Sequence, residues 1–108
     1  MESLLPKIDD VLEVYSSFIE REDVDSANRF LASLCSTIAF AVASGKLDEE
    51  KARSYLEELR EKVVEGPGML NPYVFGLLGD LIEDPKDINR IKERLIQIWS
   101  MDELGLED

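Results

Sequence analysis

Glu57-Glu58-Leu59-Arg60-Glu61 places three carboxylates close together in an EExxE pattern, and Asp80, Glu83, Asp84 and Asp87 follow on the next helical segments. Carboxylate oxygens are hard ligands that suit Mg²⁺, and a metal held there would neutralise the phosphates of a substrate. No other spacing in the chain spells out a reaction. The 108 residues contain no histidine, which removes the commonest general base, the usual zinc ligand and every Ser-His or Cys-His nucleophile system. The single cysteine, Cys35, cannot form an intrachain disulfide. It lies in an apolar stretch and reads as a buried, inert thiol.

The EExxE pattern resembles the all-α nucleoside triphosphate pyrophosphohydrolases of the MazG type, four-helix proteins that hold magnesium with EExxE on one helix and ExxD on the next. The resemblance spans residues 57 to 87, and it implies a Mg²⁺ site built from Glu57, Glu58, Glu61, Asp80, Glu83 and Asp84. Here the second half reads Asp80-Leu81-Ile82-Glu83, the reverse of ExxD, and no basic or aromatic nucleotide-binding signature accompanies it. EExxE also arises readily in a glutamate-rich helix, where Arg53 and Lys62 offer partners. The hydrolase is therefore the alternative expectation, and the first expectation is a chain without catalytic residues, cofactor or metal.

Composition favours that order. Acidic residues outnumber basic ones 24 to 12, for a net charge of −12. Such a charge repels phosphate backbones and anionic lipid, so direct nucleic-acid or membrane-surface binding is not expected, and a basic protein partner is. MESLLPKIDD lacks the basic-then-apolar order of a signal peptide, which points to a cytoplasmic protein. Many glutamates, three Asn, one Gln and one Cys lean towards a thermophilic source.

The elements that must position these residues read as all-α: a single-domain bundle of four to five helices over residues 1–101, then a short acidic tail, 102–108. A first helix is expected from about Leu4 to Glu22, with Ser3 as N-cap and Pro6 in its first turn. Asp25 or Asp23 caps the second, which contains Phe30 to Gly45, sixteen residues without a charge. That run falls short of the roughly 20 residues a bilayer needs, and apolar side chains occur nearly all round it, as in the central helix of a bundle. Gly45 stops it. Asp48 caps a third helix, Glu49 to Glu65, with i,i+4 pairs Glu49–Arg53 and Glu58–Lys62. Gly66-Pro67-Gly68 ends it, Asn71-Pro72 starts a fourth, and Asp84-Pro85 is expected to start a fifth.

Residues that exceed the needs of one apolar face suggest contact surfaces. Gly76 and Gly79 lower helix propensity and would permit close helix or subunit approach. Lys86, Arg90 and Arg94 form one basic stripe, expected to answer acids on a neighbouring helix. Val14, Phe40 and Ile96 lie off their stripes, and Trp99, Met101, Leu104 and Leu106 cluster at the acidic end. The expected function is a non-catalytic interaction protein (a small subunit, adaptor or inhibitor) that forms a homodimer through Gly76, Gly79, Ile96, Trp99, Met101, Leu104 and Leu106. A further alternative is an acidic decoy for a basic nucleic-acid-binding site on another protein.

Overall fold

The computed structural model describes residues 5–105, with side chains up to Gln97. Five helices account for most of it: α1 (Ile8–Glu20), α2 (Val24–Ala43), α3 (Glu49–Glu65), α4 (Pro72–Glu83) and α5 (Ile88–Gly105). No strand occurs among the described residues. The architecture is the expected all-α bundle, and α2 is its centre. Helix α2 packs against all four others, whereas among the described residues α1 makes no contact with α4 or α5, and α3 makes none with α5. A Cα radius of gyration of 13.6 Å is close to the ~13 Å of a compact chain of this length.

The core follows from periodicity. On α2 the buried positions are Ala27, Leu31, Ala32, Cys35, Ile38, Ala39 and Val42, a broad stripe with Asn28 as its single polar member. Val11 and Tyr15 of α1, Leu56, Leu59 and Val63 of α3, Leu77, Leu78 and Leu81 of α4, and Ile91 of α5 close around it. Each large aliphatic side chain buried there contributes about 1.5–3 kcal/mol. The small residues of α2 let its neighbours approach.

Helix α2 is 20 residues long, longer than its uncharged run, so by length and hydropathy it could cross a membrane; packing inside the bundle accounts for its apolar character. It is not apolar all round. Ser33, Ser36, Thr37, Phe40 and Ser44 recur at helical spacing on the one face left open to solvent or half-buried.

Several helix ends match expectation. Asp23 accepts from the Ser26 amide, Asp48 from Lys51, and Asn71 from Tyr73 beside Pro72 at the first helical position. Gly45, at φ +81°, closes α2 as the left-handed residue of a Schellman turn, with Lys46 N–H donating to Ala41 O at 2.9 Å.

Four ends differ from expectation. Helix α1 begins at Ile8, with Lys7 extended and no side-chain cap; Ser3 and Leu4 lie outside the described residues. Pro6 sits before the helix instead of inside it, in keeping with proline's bias of its predecessor away from helical geometry. At its other end Glu22 takes φ +62°, a glycine-like conformation, and the Asp23 amide donates to Phe18 O. Asp84 does not start α5: it closes α4, Pro85 lies buried in the turn, and Asp87 Oδ1 accepts from the Arg90 amide as the cap. Helix α5 continues to Gly105, into the stretch expected as tail.

Candidate functional site

The carboxylates of the EExxE pattern and those of α4 do not converge. Glu57, Glu58 and Glu61 are exposed on α3, with Glu57 and Glu61 bordering one surface groove and Glu58 another. Asp80 is buried at 7% exposure, held by arginines: Arg94 Nε donates to Oδ2 at 2.7 Å, and Arg90 Nη2 lies 3.3 Å from Oδ1. Glu83 pairs with Arg90 at 3.1 Å, and Asp84 accepts from the Lys86 amide. Among the described residues no three acidic or thiol side chains are placed to hold a metal ion.

Arg90 and Arg94 of α5, with Lys86 in the turn before it, therefore answer acids on neighbouring helices, as their spacing suggested, Lys86 reaching Glu49 at 3.7 Å. Arg53 also does more than its i,i+4 pairing with Glu49. Its Nε donates to Ile82 O at 2.7 Å, so a cation of α3 seals the C-terminal end of α4, where the helix dipole favours it. The expected Glu58–Lys62 pair does not form.

Gly76 has a concrete reason. A Cβ there would lie 2.8 Å from Arg94 Nη1 and 3.0 Å from its Cζ, so the glycine leaves room for the guanidinium that binds Asp80. This is a helix–helix contact within the chain. Gly79 meets nothing within 4 Å and supports no such contact.

The apolar residues flagged for contact fall in three places. Ile96 is 64% exposed and, with Leu95, forms one wall of a groove of about 500 Å³ whose other wall is Ser33, Ser36 and Thr37 of α2. Phe40, 48% exposed, borders a second groove that shares Thr37. Thr37 Oγ1 donates to Ser33 O at 3.1 Å, so its hydroxyl turns back on its own helix and the face is less polar than its residues suggest. Trp99, Met101 and Leu104 belong to α5, but their side chains lie outside the described residues, as does Leu106 altogether. Val14 is exposed on α1.

Burial pushes the Cys35 thiol up to about 12, so no thiolate nucleophile is available at neutral pH. Burial likewise raises Tyr15 and Tyr55 to about 12, and each hydroxyl donates to a backbone carbonyl, Tyr15 to Gly68 and Tyr55 to Pro6.

Sequence reasoning missed Asn28. Its amide donates to Val24 O at 2.9 Å and Met69 O at 3.1 Å, and its Oδ1 accepts from the Asn71 amide at 2.7 Å. With Tyr15 it ties the α3–α4 connection, where Met69 sits at φ +66°, to the core. A polar side chain interrupting the buried stripe of α2 was the available signal. No family model, curated protein or solved structure matches this chain.

Proposed function

We propose that this chain is a non-catalytic protein–protein interaction module, a small subunit, adaptor or inhibitor, that self-associates through the face shared by α2 and α5. The observation that carries this reading is the pair of adjoining grooves meeting at Thr37, with Phe40 and Ile96 exposed beside them. Between Phe30 and Gly45 the helix bears no charge, in a chain of net charge −12. Two copies repel each other over most of their surfaces, and contact is least opposed here, where no acid lines either groove and Lys46 is the one charged lining residue. Acids kept at the rim are screened beyond roughly 8 Å in physiological salt. The surface expected earlier around Gly76 is occupied by Arg94 of the same chain, so Ile96 is the flagged residue on which this reading rests.

The hydrolase alternative draws no support from the geometry, because Asp80 is enclosed by arginines and stands apart from the glutamates of α3. Sedimentation equilibrium at low and moderate salt tests the proposal. The parent chain is expected to dimerise with concentration, and Thr37→Arg and Ile96→Glu to remain monomeric with unchanged melting. A parent that stays monomeric at both salts into high micromolar concentration contradicts it, as does a variant that associates like the parent.

A further inference from the structure

The groove bordered by Glu57 and Glu61, of about 600 Å³, lies between α3 and α4, away from the face assigned to self-association. Its lining comprises Val64 and Phe75, which are 55% and 46% exposed, together with Glu57, Glu61, Glu65 and Arg60. The glutamates recur at i, i+4 and i+8, so they run along α3 for about 12 Å at 1.5 Å per residue. Among the described residues none of the three has an ion-pair or hydrogen-bond partner. Like charges at i,i+4 destabilise a helix, and α3 carries two such contacts in succession here. The cation within the groove, Arg60, lies over the Phe75 ring, 5.8 Å from its centroid, and makes no ion pair with them.

An apolar floor beside an evenly spaced acidic edge is complementary to one kind of surface. We infer that this groove docks a basic amphipathic helix of a partner protein, with lysines or arginines one turn apart against Glu57, Glu61 and Glu65 and an apolar side chain seated on Val64 and Phe75. The glutamates stand about 6 Å apart along α3, the spacing of cations at every fourth position of a partner helix, so such a helix can meet all three at once. The apolar floor separates docking from general attraction to an acidic protein, because a charge pattern alone gives no anchor. The inference rests on the reading of the chain as an interaction protein, but not on self-association.

The test uses a synthetic helical peptide with lysine at every fourth position and one tryptophan on the adjoining face, titrated by fluorescence anisotropy. A scrambled peptide of the same composition is expected to bind at least about fivefold more weakly. The combined Glu57→Gln, Glu61→Gln, Glu65→Gln variant is expected to lose about tenfold in affinity, and Phe75→Ala at least about fivefold. Removing equal charge from α1, as Asp9→Asn, Asp10→Asn and Glu13→Gln, should leave affinity within about twofold. The Thr37→Arg variant should bind the peptide like the parent, which separates this inference from the dimer. Equal binding of the scrambled peptide, or an equal loss from the α1 substitutions, overturns it. So does undiminished binding by the triple glutamine variant or by Phe75→Ala.

Discussion

Asn28 shows how much one side chain can hold. Two of its three hydrogen bonds join α2 to a connection some forty residues away in sequence, and the third goes to Val24 O of α2 itself. Asn28→Ala leaves Met69 O and Asn71 N–H without that partner and is expected to lower stability by about 1–3 kcal/mol, measured by urea denaturation. A loss below a few tenths would mean that the connection is held by other contacts. At Cys35, Tyr15 and Tyr55 the expectation concerns pH. Their ordinary values of 9.0 and 10.0 are raised to about 12, so the folded state holds these protons more tightly than the unfolded chain does. The resulting stability is present in full below about pH 9 and is lost as pH rises towards about 12. Melting temperature should therefore decline across that alkaline window. Thiol labelling of Cys35 at neutral pH should follow global unfolding instead of surface exposure.

At the scale of the element, the two glycines of α4 make a paired test. Gly79→Ala gains helix propensity with open space around the new methyl, so stability should rise by about 0.5–1 kcal/mol. Gly76→Ala gains the same propensity but pushes on the Arg94 guanidinium, so it should stabilise less or destabilise. Equal gains at both sites would mean that Arg94 yields without loss. Helix α2 offers a second contrast. Ala39→Asp buries an unpaired carboxylate and should abolish cooperative unfolding, while Thr37→Arg on the open face should stay within about 0.5 kcal/mol of the parent. These elements were legible in sequence where the signal is local, as with Asp48, Asn71-Pro72 and Gly45. They were not legible where the decisive contact is distant. Asp84-Pro85 carries the same signature as Asn71-Pro72, yet Asp87 caps α5; nothing short-range separates the two cases. Glu22 occupies a position that normally calls for glycine, so its turn was invisible. The reason for Gly76 lies eighteen residues away, in Arg94.

For the whole molecule, the bundle was readable because α2 is the one helix with enough apolar surface to touch every other. The candidate surfaces were readable only in part. Ile96 and Phe40 stood out as surplus apolar residues, but the groove they flank needs α2 and α5 side by side, which no local pattern encodes. The EExxE spacing was real, yet the fold sends its glutamates to the surface and pairs Asp80 with arginines. Mg²⁺ titration should accordingly leave the melting temperature unchanged, because only a ligand that prefers the folded state raises it. The central claim, self-association through the face shared by α2 and α5, is tested most directly by amide chemical shifts in a ¹H–¹⁵N NMR concentration series. The account predicts concentration-dependent shifts at Ser33, Ser36, Thr37, Phe40 and Ile96, with Glu57, Glu61 and Glu65 unmoved. Spectra that are invariant from micromolar to millimolar concentration, or shifts confined to another face, would contradict it.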